Sequence, residues 1–178
     1  EDVNISRWMW HGAALSSDST AIYCIPSNAQ YVLKINTMTD DDTITRIGPK
    51  FIGQNKWYGG ILGADDAIYG IPYTSKGVLR IDTSDRNEYE HEEDDDDGVE
   101  VLGDFGEELY NWHGGVYVST NQCIYAFPSH SDKVLKIDTS NQITTTTTTT
   151  NNEDRLSLLD IHRCHHHHHN DDNNNNNN

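Results

Sequence analysis

Trp57-Tyr58-Gly59-Gly60, then Ile68-Tyr69-Gly70-Ile71-Pro72, then Val78-Leu79-Arg80-Ile81-Asp82-Thr83 is the stretch that decides the fold, because it occurs three times. Upstream, Trp10-His11-Gly12-Ala13 leads to Ile22-Tyr23-Cys24-Ile25-Pro26 and Val32-Leu33-Lys34-Ile35-Asn36-Thr37. Downstream, Trp112-His113-Gly114-Gly115 leads to Ile124-Tyr125-Ala126-Phe127-Pro128 and Val134-Leu135-Lys136-Ile137-Asp138-Thr139. Pro26, Pro72 and Pro128 stand 46 and 56 residues apart, and each is followed nine residues later by the Ile of the third motif. Three motifs in constant order and near-constant spacing mark an internal repeat, which outweighs any single short match.

Each unit reads as four short strands. The first is the Trp-x-Gly-Gly segment and the residues after it. The second ends at its proline, where no ladder N–H is lost. The third is Val-Leu-Lys/Arg-Ile, closed by Asp/Asn-Thr turn chemistry. The fourth falls on Thr43 to Ile47, on Val99 to Leu102, and in the last unit on Ile143 running into the threonines. Four strands every ~40–50 residues is the pattern of a β-propeller blade. Gly59, Gly60, Gly114 and Gly115 suit innermost strands, where backbone approaches backbone. The second and third strands are apolar at both parities, as sheets stacked face to face require. The expected fold is therefore all-β, with three propeller-type blades of four antiparallel strands at residues 8–50, 51–105 and 106–150. Residues 1–7 read as the end of a preceding loop, and residues 151–178 as a low-complexity tail.

The triplet Trp-His-Gly-Gly, Ile-Tyr-Gly-Ile-Pro and Val-Leu-Lys-Ile-Asp-Thr resembles the repeats of uncharacterised β-propeller proteins, broadly of the Kelch, NHL and YVTN type. The resemblance covers about residues 8–150 and implies a fold, without implying any catalytic residue. Propellers have about 4 to 8 blades. Three blades leave two outer faces open, so the chain is expected to be a fragment joined to further blades. The other expectation is a homodimer closing a six-bladed ring.

The 178 residues carry 12 Lys plus Arg against 29 Asp plus Glu, a formal charge of −17. That balance argues against nucleic-acid and anionic-membrane partners, which need a basic footprint. No apolar run approaches the ~20 residues of a membrane-spanning helix. Eight of the acids lie between Glu88 and Asp97, and Asp40, Asp41 and Asp42 add three. They read as solvated loops, since a calcium loop's alternating ligands and central Gly are missing. Homopolymers follow: threonine at 144–150, His165, His166, His167, His168 and His169, and asparagine at 173–178. The histidines, beside Cys164, offer only adventitious metal binding. Asn152 is expected to cap a short helix at residues 153–162, with Leu156 and Leu159 on one face. Three cysteines, Cys24, Cys123 and Cys164, are no disulfide framework.

His11, Tyr58 and His113 share one repeat position, directly after the Trp. If that position faces the axis, they become candidates for binding a channel ligand or metal, or for moving protons. Otherwise they fill the inner strand. Trp10, Trp57 and Trp112 read as structural repeat residues, and Tyr23, Tyr69 and Tyr125 as blade-to-blade packing residues whose hydroxyls reach a loop carbonyl. Lys34, Arg80 and Lys136 are expected to pair with turn acids, with a phosphate or carboxylate ligand as the alternative. No convergent catalytic set is visible. The expected function is a non-catalytic binding or scaffold propeller without a cofactor, its protein partner or further blades engaging loops on one face. The alternative is a propeller enzyme of the lactonase or lyase type, with a divalent metal in the channel near His11 and His113.

Overall fold

The computed structural model describes residues 7–38, 43–84, 98–106, 110–141 and 152–161. The acidic runs and all three homopolymers lie outside the described residues. The rest is almost entirely strand. The first sheet comprises β1 (Trp10–Leu15), β2 (Ala21–Pro26), β3 (Val32–Asn36) and β4 (Thr43–Ile47). The second comprises β5 (Trp57–Leu62), β6 (Ala67–Pro72), β7 (Val78–Asp82) and β8 (Val99–Leu102). The third comprises β9 (Trp112–Val118), β10 (Cys123–Pro128), β11 (Lys133–Asp138) and β12 (Leu156–Asp160). Each sheet is an antiparallel meander in chain order.

The repeated Trp anchors each inner strand. Its indole Nε1 donates to a carbonyl at the entry to the third strand: Trp10 to Tyr31 at 3.1 Å, Trp57 to Gly77 and Trp112 to Lys133 at 2.8 Å. Phe51 and Phe105 meet the Trp57 and Trp112 rings edge-on at 4.8 and 4.9 Å. Two residues after each Trp, Gly12, Gly59 and Gly114 have φ of 88°, 69° and 75°. This left-handed conformation favours glycine. In all three sheets it coincides with a break in the pairing register, between Trp10 and Ala13, between Tyr58 and Gly60, and between Trp112 and Gly115. Such a bulge re-aims a side chain. The Trp points into the core while the next residue turns toward the neighbouring inner strands. These strands come close: a Cβ on Gly12 would lie 2.6 Å from the Gly59 Cα.

Two apolar layers join the sheets. Tyr23, Ile25 and Val32 of the first pack on Ile68, Leu79 and Ile81 of the second. Tyr69, Ile71 and Val78 of the second pack on Ile124, Leu135 and Ile137 of the third. The middle sheet is covered on both faces, so every residue of β6 is buried.

The third blade corrects two expectations. Its fourth strand is Leu156–Asp160, paired to β11 with Ile137 opposite Leu156 and Leu135 opposite Leu158, in the place expected for Ile143 and the threonines, which lie outside the described residues. Leu156 joins the core beside Leu135 and Ile137, an anchor that a threonine run lacks. The segment expected as a helix over 153–162 makes a single 3-10 turn, Asn152–Arg155, and then extends. Leu156 and Leu159, one face of that helix, point to opposite faces of the strand. The third sheet thus continues past residue 150, into what reads as tail.

Candidate functional site

The bulges bring the three same-position residues together. The His11 ring lies 4.3 Å from Tyr58 and 5.9 Å from His113, and Tyr58 lies 4.7 Å from His113. Four further rings extend this cluster. Tyr73 stacks on Tyr58 at 4.5 Å, Tyr110 meets Tyr73 at 5.0 Å, His130 meets Tyr110 at 5.4 Å, and Trp8 stacks on His11 at 5.6 Å. All seven come from one end of the blades: the starts of the inner strands, the loops leading into them, and the loops after β6 and β10.

Sequence reasoning missed Trp8, Tyr73, Tyr110 and His130. A signal for two of them was present in the spacing. Trp8, Asn55 and Tyr110 each stand two residues before a repeated Trp, and their φ values are 63°, 53° and 66°. Positive φ is strained for bulky residues, and such strain clusters at functional sites. The following blade loop ties these backbones down: the carbonyls of Trp8, Asn55 and Tyr110 accept from Asn28, Thr74 and His130 at 3.1, 3.2 and 3.0 Å. Trp8 is 66% exposed and Tyr110 39%, so the cluster opens to solvent.

Burial, and then the neighbouring Tyr73, push the Tyr58 phenol above its ordinary pKa. Tyr58 donates to Asn55 Oδ1 at 3.3 Å. Among the described residues, His11 Nδ1 has no hydrogen-bond partner although it is buried, an acceptor or donor left free inside the cluster. Beside the cluster, Lys56 is buried among carbonyls, its Nζ donating to Ser27 at 2.8 Å, Ala29 at 2.7 Å and Gly53 at 3.2 Å. Burial pushes its pKa down to about 8. Among the described residues, no three His, Cys, Asp or Glu side chains converge as metal ligands do.

The remaining repeat positions lie away from this mouth. Tyr23 and Tyr69 are buried between blades. The Tyr69 hydroxyl donates to the Asp65 carboxylate at 2.8 Å, and the Tyr125 hydroxyl accepts from Asn121 at 2.8 Å, so both reach turn side chains rather than the expected loop carbonyl. Arg80 pairs with Asp65 at 3.3 Å and Glu100 at 3.2 Å. Lys34 instead lies over the Tyr23 ring at 5.8 Å. Cys24 sits on the outer face of the first sheet, and Cys123 is buried in the third.

Three four-stranded antiparallel sheets stacked through their faces, with inner strands converging at one mouth, define consecutive blades of a partial β-propeller. Solved structures agree. The chain is similar to a streptogramin B lyase, with TM-score 0.54 and 15% identity over 85% of this chain and 40% of that one. It is also similar to the virginiamycin B lyase of Staphylococcus aureus, with TM-score 0.52 and 15% identity over 84% of this chain and 48% of that one. The chain thus spans less than half the length of these neighbours. No protein-family model matches the sequence, and no curated protein matches it by sequence.

Proposed function

We propose that these blades form a binding propeller, of the Kelch, NHL or YVTN kind that its repeats resemble, engaging its ligand at the aromatic and imidazole mouth. The observation that carries this reading is the continuous contact of seven rings, from Trp8 to His130, supplied by all three blades. Flat rings offer stacking surface, and the free His11 Nδ1 offers one directional hydrogen bond. A planar ring bearing an N–H group fits this chemistry. The test is nitrogen NMR of histidine-labelled protein titrated with indole. Indole is expected to shift the His11 and His113 ring signals, and Tyr58→Ala to abolish the shifts. Binding that leaves both signals unmoved would overturn the reading.

A catalytic reading has one observation in its favour, the two imidazoles of His11 and His113 with centroids 5.9 Å apart across Tyr58. Such a pair can act as general acid and base. At 15% identity the lyase neighbours support the fold, and their reaction is carried over only as this second reading. Turnover of virginiamycin B in the presence of a divalent metal, lost in His113→Ala, would favour it over the first.

A further inference from the structure

We propose that Tyr73 and Tyr110 are an oxidative modification site, where a one-electron oxidant couples the two rings through a carbon–carbon bond and ties the second blade to the third. Three phenols stand in consecutive contact at the mouth. Tyr58 and Tyr73 have ring centroids 4.5 Å apart, and Tyr73 and Tyr110 have theirs 5.0 Å apart. Among the described residues, no other two tyrosine rings meet. Tyr73 follows β6 and Tyr110 precedes β9, so the pair lies at a joint between two blades of this chain. The inference stands whether or not the mouth binds a ring compound.

Backbone, access and ring geometry select this pair. The Asn111 N–H donates to the Tyr73 carbonyl at 3.0 Å, which fixes the residue after Tyr110 against Tyr73 itself. The His130 N–H donates to the Tyr110 carbonyl at 3.0 Å and holds its other side. Two groups positioned in this way react without a diffusional search. Tyr110 is 39% exposed, so an oxidant reaches it first, with the half-buried Tyr73 beside it. The other ring touching Tyr110 is the His130 imidazole, so a radical on Tyr110 has one phenol to meet. Tyr58 is the rival partner for Tyr73. Its hydroxyl is tied to Asn55 Oδ1 at 3.3 Å, and its ring is only 26° from the Tyr73 plane. A coupled biphenol is twisted about its new bond. The 56° between Tyr73 and Tyr110 is nearer to that twist.

The chemistry balances with a peroxide as the final oxidant. Each phenol gives one electron to the oxidant and its hydroxyl proton to solvent. The two phenoxyl radicals pair their electrons in a bond between carbons ortho to the oxygens. Each of those carbons then sheds its hydrogen as a proton, and each oxygen takes one proton back, restoring both rings. The chain has lost two hydrogen atoms, and one hydrogen peroxide has become two waters. The bond closes a loop between residues 37 apart in sequence. Like a disulfide, such a closure restricts the unfolded chain and stabilises the fold.

The test is treatment of the dilute chain with hydrogen peroxide and a haem peroxidase, followed by isolation of the monomer and mass spectrometry of its peptides. The monomer is expected to lose two hydrogen atoms, to gain biphenol fluorescence, and to yield one linked peptide pair joining Tyr73 to Tyr110. Its melting temperature is expected to rise. Tyr73→Phe and Tyr110→Phe keep the rings and are expected to abolish the bond, whereas Tyr58→Phe is expected to retain it. Tyr110→Phe, at the most exposed of the three rings, decides the matter should Tyr73→Phe disturb the circular dichroism spectrum. Absence of a coupled monomer, a bond joining Tyr58 to Tyr73, or coupling that survives Tyr110→Phe would each overturn the proposal.

Discussion

Arg155 reaches back 90 residues to Asp65, with its Nη1 3.1 Å from the Asp65 Oδ2. The same oxygen accepts from the Tyr69 hydroxyl at 2.8 Å and Arg80 Nη2 at 3.3 Å. Arg155 also donates to the Asp138 carbonyl at 3.3 Å. One carboxylate, 2% exposed, thus ties the middle blade to the segment that supplies the last strand. Burial, and then the charge of Asp65, push the Tyr69 phenol well above its ordinary pKa, so it remains a donor throughout.

Removing the shared acceptor takes one partner each from the Tyr69 phenol and from two guanidinium groups, leaving Arg80 with Glu100 and Arg155 with the Asp138 carbonyl. Asp65→Ala is expected to cost about 3 kcal/mol, since breaking a buried pair leaves uncompensated charge. Arg155→Met is expected to cost about 1 kcal/mol, because its side chain is 23% exposed and its loss leaves Arg80 paired. Urea unfolding of the two variants measures both, and equal costs would contradict the shared-acceptor geometry.

Truncation separates the tail into two parts. Ending the chain before Asn152 removes β12 and bares the edge of β11 together with the Leu135 and Ile137 layer. That variant is expected to aggregate or to lose its sharp melting transition. Ending it after Ile161 removes only residues that composition gives no means of building a core. The melting temperature should then stay within about 2 °C, less than a 1 kcal/mol loss produces in a domain of this size.

Alanine at the repeated bulge glycine distinguishes strain from collision. Gly114 has φ of 75° and nothing within 4 Å of an added Cβ, so Gly114→Ala should cost only the left-handed strain, about 1–2 kcal/mol. Gly12→Ala adds a Cβ 2.6 Å from the Gly59 Cα and must push two inner strands apart. Its cost should be larger by about 1–3 kcal/mol, the range for overpacking. Thermal melts of the two variants provide the comparison.

Lys56 gives the fold a pH dependence whose sign follows from its burial. Its pKa falls from 10.5 to about 8 on folding. Between those values the unfolded chain holds the proton and the folded chain does not, so stability rises with pH across that window. The contribution is fully present above 10.5 and is lost as the pH falls through about 8. Lys56→Met should remove this slope, and should cost about 1–3 kcal/mol where three carbonyls lose their donor. Unfolding of both proteins from pH 7 to 11 would show a difference that changes with pH, and parallel curves would contradict it.

Each blade's first three strands were legible because their signals are local: a Trp, a pair of small residues, an apolar run ending at Pro, and a fixed nine-residue step. The shared position of His11, Tyr58 and His113 was legible for the same reason. That position could not say where the side chains point, because the glycine bulge reverses the alternation a regular strand would impose. Tyr73, Tyr110, Trp8 and His130 enter the mouth from loops that meet only once the blades stack.

The amino-acid sequence by itself determined the strand periodicity, the number of blades and the residues that share each repeat position, since all of these are patterns within about 50 residues. Tertiary structure alone decided the last strand and the composition of the mouth. Leu156–Asp160 takes the place beside β11 because Leu156 finds a core and Arg155 finds Asp65, partners that lie far away in the chain. The seven rings meet because inner strands held apart by little more than glycine backbone bring three blade ends to one place.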